Sequence, residues 1–407
     1  MKNHVERKKH RYLALRLCRT AQGNALLKKI LSIAISTIYR YFPEKTITDI
    51  QITGSVANGE GTVIVTESEV VSSDLDILVC MKLPSYVLAV VSGINQEISA
   101  VATSQVLSMG IKTHIHYTFS SSLFHRILRA FQKSYIYDYE FSSNKSLIGK
   151  QVRKHPYPPS DEDALHLTFT IMAEYLMLYP EFRSKMEKVY WLIKRNLTLL
   201  YSMLIFEKKP KLTYAERVRT AQHNIPSEVI RPDQMTLMNS FLNFKLKGDP
   251  RIIFKFFGSE DIGKIIALLD RKLLETLTTV LSYGISTFLC DMHDQSKSFD
   301  LMNLINVYFT KTKKSLIGIL SYALVLSTIS IVTRRSNMLP FTNLALSTRH
   351  SLLSIADYLV ALTLLSKLGF QNARIQIKQF FGSTCFSHGL NTIKKTWILA
   401  NELKYVG

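Results

Sequence analysis

Cysteine is scarce in this chain, with four among 407 residues. Cys18, Cys80, Cys290 and Cys385 form no Cys-x-x-Cys pair and have no histidine partner at zinc-like spacing, which argues against a structural zinc site. They read as buried thiols in a reducing compartment, and the expected location is cytoplasmic. Acidic residues are also few: 31 Asp plus Glu stand against 51 Lys plus Arg, a formal net charge of +20. The sequence pI is about 9.6. Such a surface attracts polyanions, with nucleic acid the first candidate and an anionic membrane second; a species-wide basic bias is the third reading. Internal repeats and low-complexity tracts are missing. No signal peptide is expected, because Lys2, Arg7, Lys8, Lys9, Arg11, Arg16 and Arg19 are followed by no uninterrupted apolar stretch. That stretch reads as the start of a basic helix, either touching nucleic acid or presenting a solvated face.

What is present is enough chain for two or three domains, with a hydrophobic fraction of 47% that supplies a sizeable core. From Ala25 to Tyr41, Leu26, Leu27, Ile30, Leu31, Ile33, Ala34 and Ile38 recur at helical spacing and lead into a strand over about 46–53.

The most informative stretch follows. Ile52-Thr-Gly-Ser-Val-Ala-Asn-Gly59 reads as a strand that stops sharply, turns at Gly54-Ser55 and enters a helix at Val56-Ala57. Free N–H groups and the positive end of such a helix suit an anion, and the Ser55 hydroxyl adds a donor. After a β excursion over 60–72, Ser72-Ser-Asp-Leu-Asp-Ile-Leu-Val79 places Asp74 and Asp76 two apart in an apolar strand, on one face. The excursion reads either as a plain hairpin or as a cover for a nucleotide. Two adjacent carboxylates repel unless a cation sits between them. Hard oxygen ligands beside a phosphate-binding turn describe a Mg²⁺ site for ATP or another nucleoside triphosphate.

Gly54-Ser55 followed by Asp74-x-Asp76 resembles the signature of the nucleotidyltransferase superfamily, which includes DNA polymerase beta, poly(A) polymerases, CCA-adding enzymes and antibiotic nucleotidyltransferases. The resemblance covers about the first third of the chain. It implies transfer of a nucleoside monophosphate to an acceptor hydroxyl, and a third carboxylate on a later strand of the same sheet. The strand expected over Ile111–Phe119 departs from this pattern, offering His114 and His116 where an acid belongs. Three explanations stand: one of these histidines serves as the base, Asp138 or Glu140 supplies the missing ligand, or the domain binds nucleotide or RNA without turning it over.

A break at His155-Pro-Tyr-Pro-Pro-Ser160 marks a domain boundary, and almost everything after it has helical periodicity. Ser160 caps one helix and Thr213, with Glu216, another; the helix expected over 181–206 carries Lys194-Arg195. In the resembled family, a basic residue on such a helix meets the triphosphate. Lys194 is the candidate, Arg195 the alternate, and an ordinary salt-bridged helix face the competing reading. Further helices are expected over 234–245, 261–292, 299–309, 347–368 and 371–381. Ser315 to Val332 lacks charge and is flanked by lysines and arginines, which fits a membrane span, but its serines and its isolation favour a core helix. Lys394, Lys395 and Trp397 read as a nucleic-acid contact or as a packed terminal Trp with solvated lysines.

The expectation is therefore an α+β protein: a nucleotidyltransferase-like mixed sheet with flanking helices over 1–155, a helical nucleotide-cleft domain over 156–245 and a helical region over 246–407. Asp74 and Asp76 would hold Mg²⁺; Gly54, Ser55 and Lys194 would hold the nucleotide; His116 or His114 would be the base. The charge of +20 favours RNA as acceptor. The alternative is a nucleotide- or RNA-binding protein without catalysis.

Overall fold

The computed structural model describes residues 14–92, 94–120, 145–147, 158–182, 184–227, 229–290, 301–313, 345, 350, 352–369, 371–382 and 393–394. These fall into two compact units, the first drawn from Met1–Arg129, Tyr135–Pro158 and Arg183–Arg271, the second from Ala130–Ser134, Pro159–Phe182 and Lys272–Gly407.

In the first unit, Thr20 accepts a hydrogen bond from the Gly23 N–H at 3.2 Å and starts helix α1 (Ala21–Tyr41). Leu27, Ile30, Leu31, Ala34 and Ile38, three or four residues apart, are fully buried, as their spacing predicts. Each of the larger ones contributes about 1.5–3 kcal/mol by leaving water. The elements that follow are β1 (Ile47–Ile52), α2 (Gly54–Ala57), β2 (Val63–Val65), β3 (Val70–Ser72), β4 (Leu75–Met81), α3 (Leu83–Ser92), α4 (Ile94–Leu107), β5 (Ile111–Lys112), β6 (Ile115–Ser120) and β7 (Lys145–Ser146).

One sheet has the order β6-β4-β1-β7, with β4 parallel to β6 and the other pairs antiparallel. Parallel neighbours need a long crossover, which α3 and α4 provide between β4 and β6. Inward residues of the sheet (Ile50, Ile52, Leu75, Ile77, Val79, Ile115, Tyr117) share one core with the α1 stripe and with Ile98, Ala102 and Val106 of α4. Tyr117, deep in that core, donates its hydroxyl to the Ala34 carbonyl at 2.8 Å. The excursion between the motif halves is a β2–β3 hairpin that pairs with β5 in a second, three-stranded sheet.

Two elements differ from the sequence expectation. The single strand over Ile111–Phe119 is two strands in different sheets, β5 beside β3 and β6 beside β4, with Thr113 and His114 between them. The break is held by the Thr113 hydroxyl, which donates to the Ser73 carbonyl at 2.9 Å, and by Leu75 N–H on the His114 carbonyl at 2.9 Å. The helix expected after Gly54-Ser55 is a single turn, closed when the Glu60 N–H takes the Ser55 carbonyl at 2.8 Å. One turn carries little macrodipole, so any anion binding there rests on the N–H groups, the Ser55 hydroxyl and nearby charge.

Beyond the sheets the described residues are almost all helical: α5 (Asp161–Met177), α6 (Lys185–Phe206), α7 (Tyr214–Asn224), α8 (Pro232–Lys247), α9 (Arg251–Phe257), α10 (Ile262–Cys290), α11 (Leu301–Lys311), α12 (Leu352–Lys367) and α13 (Gln371–Gly382). Helices α6 to α9 belong to the first unit, α5 and α11 to α13 to the second, and the division falls within α10. Ser160 with Asp163, and Thr213 with Glu216, form complete capping boxes. Helix α9 has no counterpart among the sequence expectations.

In the second unit, α5 and α12 are joined by the buried pair His166 and Asp357, Nδ1 to Oδ2 3.2 Å. Phe309 of α11 stacks between His350 and Tyr358, both at 3.9 Å between ring centroids. Lys394 pairs with Glu181 at 2.9 Å. Asp138, Glu140, His155, Lys395, Trp397 and the segment Ser315 to Val332 lie outside the described residues. Among the described residues, no helix is long and apolar enough to cross a membrane. Cys18 is buried and Cys80 only partly so, a small departure from the expected buried thiols.

Candidate functional site

The site grows from the end of β1. Thr53 N–H takes the Asp76 carbonyl at 3.0 Å, which fixes the Gly54-Ser55 turn beside β4. Gly54 sits at φ +68°, a left-handed conformation costly for any residue with a side chain, and a Cβ there would lie 3.5 Å from Asp76 Oδ2. That distance is an ordinary van der Waals contact, so the left-handed backbone, rather than lack of space beside the carboxylate, is what calls for glycine. Along the neighbouring chain Leu75 and Ile77 are buried while Asp74 and Asp76 are partly exposed, the alternation that the sequence predicts, although Asp74 precedes the first residue of β4.

The two aspartates differ in what they meet. Lys194 of α6 donates from Nζ to Asp74 Oδ2 at 2.7 Å. Burial alone would raise the Asp74 carboxyl, but the Lys194 ammonium, backed by His116 and His114, holds it well below the usual carboxylate range. Burial likewise works against the Lys194 ammonium, and the Asp74 charge, followed by Tyr190, raises it above the ordinary lysine value. The Asp76 carboxylate makes no side-chain hydrogen bond or ion pair with the described residues. Arg195, the alternate to Lys194, lies instead over the Trp191 ring at 5.6 Å.

His116 is the register partner of Asp76 across the parallel β4–β6 pair. His114 and His116 hold near-parallel rings with centroids 6.1 Å apart. His114 Nε2 meets Glu187 Oε1 of α6 at 3.3 Å; that hydrogen bond raises its pKa, burial opposes the shift, and Asp74 adds to it.

A residue that no sequence pattern singles out lies behind the turn. Lys245 of α8 is fully buried, and its ammonium reaches the Glu60 carbonyl at 3.0 Å, Thr62 Oγ1 at 2.9 Å, Tyr190 OH at 3.3 Å and Ser55 Oγ at 3.5 Å. All four acceptors lie far away in the chain, so helical spacing marks Lys245 only as one more position on α8. The Tyr190 hydroxyl also bonds Ser73 Oγ at 2.9 Å. Burial would raise the Tyr190 phenol, yet Lys245 and then Lys194 bring it below its ordinary value. The Lys245 Nζ thus stands behind Ser55, where the one-turn helix offers only a small dipole. When Ser55 Oγ accepts from Lys245, the serine proton is free to point outward.

Among the described residues, no three His, Cys, Asp or Glu side chains stand together as metal ligands. Asp74 and Asp76 could offer two hard oxygens, a donor set that suits Mg²⁺ when phosphate oxygens and water fill its remaining positions. Among the described residues the Asp76 carboxylate has no side-chain hydrogen bond or ion pair, and it lies beside the Gly54 turn, which fits that use. No family model, curated protein or solved structure matches the chain.

Proposed function

We propose that the chain is a Mg²⁺-dependent nucleotidyltransferase that moves a nucleoside monophosphate from ATP or another nucleoside triphosphate to an acceptor hydroxyl, in the manner of the superfamily its motif resembles. The observation that carries this reading is the close approach of the Gly54-Ser55 turn to Asp76, with Asp74 and Lys194 alongside. Gly54 and Ser55 present a hydroxyl and backbone N–H groups to the outgoing phosphates, and Lys194 and Lys245 supply positive charge from two sides. A Mg²⁺ ion on Asp74 and Asp76 would neutralise and align the α-phosphate for in-line attack. In the reaction the acceptor oxygen bonds to the α-phosphorus, the bond to the bridging α–β oxygen breaks, and pyrophosphate leaves. His116, on the strand beside Asp76, or His114, next to it, takes the acceptor proton. The net charge of +20 favours RNA as the acceptor. A reducing, cytoplasmic setting suits the scattered cysteines.

A second reading has its own support: with histidine as the register partner of Asp76, the chain binds nucleotide or RNA without catalysis. One experiment separates the two. Labelled nucleoside triphosphate with Mg²⁺ and total RNA is expected to give labelled RNA with the wild-type protein and none with Asp76→Asn. Unlabelled RNA with the wild type, together with retained triphosphate binding, selects the second reading.

A further inference from the structure

The Asp74–Lys194 pair is not a surface ion pair. Its side chains are 26% and 15% exposed, and the contact is 2.7 Å. The Lys194 ammonium is rooted in α6, whose sequence from Tyr190 to Ile193 is buried, so the charge is delivered from a rigid element. It stands on one of the two carboxylates that a divalent cation would use. It is also one of the positive charges that a triphosphate would use. With neither ligand present, these roles compete. A cation arriving alone must displace an ammonium from Asp74, and a triphosphate arriving alone must draw that ammonium away and leave Asp74 a partly buried, unpaired carboxylate. When both arrive, the polyphosphate takes the ammonium and the cation takes the carboxylate, and no charge is stranded.

We propose that Lys194 is an exchangeable counter-ion, held by Asp74 in the free protein and handed to the phosphates on binding, so that polyphosphate and divalent cation each strengthen the other through this one contact. The proposal rests on the nucleotidyltransferase reading for the identity of the two ligands. It adds a coupling that the Gly-Ser and Asp-x-Asp motif does not contain. By linkage the coupling is reciprocal. Asp76 provides an internal reference, because it is a carboxylate two residues further along the chain without the lysine contact.

The test measures binding, not turnover. ATP affinity is measured in EDTA at fixed low ionic strength for the wild type, Asp74→Asn and Asp76→Asn. Removing either aspartate relieves repulsion of the polyanion, but only Asp74→Asn also releases Lys194. Asp74→Asn is therefore expected to bind metal-free ATP about ten-fold more tightly than the wild type, and Asp76→Asn to gain clearly less. The excess gain should vanish when Asp74→Asn is combined with Lys194→Met. In the complementary arm, Mn²⁺ binding without nucleotide, followed by electron paramagnetic resonance, should tighten in Lys194→Met relative to the wild type. Equal gains for the two Asn variants, or a gain that survives loss of Lys194, would overturn the exchange while leaving the proposed activity standing. Absence of ATP binding in every protein would overturn both. Should Lys194→Met fail to fold, the Asp74 and Asp76 variants alone still decide between exchange and general repulsion.

Discussion

His114 illustrates how a single side chain can couple the site to pH. Its hydrogen bond with Glu187 raises the imidazole pKa above 6.5, against burial and with help from Asp74. The charged form is thus favoured in the folded state. Its contribution to stability is fully present below the unfolded value of about 6.5 and is lost as pH rises through the higher folded value. The NMR titration of the His114 ring should show a midpoint above the free value in the wild type, moving down in Glu187→Gln. A midpoint that ignores the Glu187 substitution would remove the hydrogen bond as its cause. If His114 rather than His116 accepts the acceptor proton, the pH–rate profile shifts in the same direction. Lys245 shows the opposite limit of legibility. Its charge is obvious in the sequence, yet its burial against Thr62, Glu60, Tyr190 and Ser55 depends on residues up to 190 positions away.

At the level of elements, the β-hairpin between the motif halves is tied to the helices that follow. Glu69 at its tip bonds Lys112 at 2.6 Å, the Ser184 hydroxyl and the Met186 N–H, so it sits at the N-terminus of α6, the helix that delivers Lys194. Gly248 fastens the other side. It ends α8 at φ +67°, and a Cβ there would lie 2.0 Å from the Val63 carbonyl oxygen. Gly248→Ala must therefore adopt a strained backbone and push β2 aside, at a cost of about 2–4 kcal/mol. Urea denaturation should show that loss, whereas Gly258→Ala, also left-handed but with open space at the Cβ position, should lose less. Equal losses would mean that the β2 contact carries no weight. Helices were legible because capping boxes and apolar stripes are local signals, as at Ser160, Thr213 and α1. The break at Thr113-His114 was not, because the alternation of Ile111, Thr113, Ile115 and Tyr117 runs unbroken through it. The Thr113 bond to Ser73, the Leu75 N–H on the His114 carbonyl and pairing with two different partners divide that run.

For the whole molecule, the excess of basic residues is the widest-reaching feature. At +20, association with RNA should be driven largely by counterion release. If about four to five phosphates are neutralised, log affinity should fall with log salt at a slope of roughly −3 for single strands. Filter binding across a salt series checks this, and a slope near zero would count against RNA as the partner. That charge was fully readable from composition, because it is a sum over residues and needs no geometry. So were the candidate carboxylates, the Gly-Ser turn and most helix limits, since each depends on neighbours a few positions apart. The pairing of Asp74 with Lys194, the closeness of Gly54 to Asp76, the register that sets His116 beside Asp76 and the buried charge behind Ser55 were decided only by the tertiary structure. Each joins residues from separate elements, and no periodicity along a chain records which distant side chain will fill the space beside a given one.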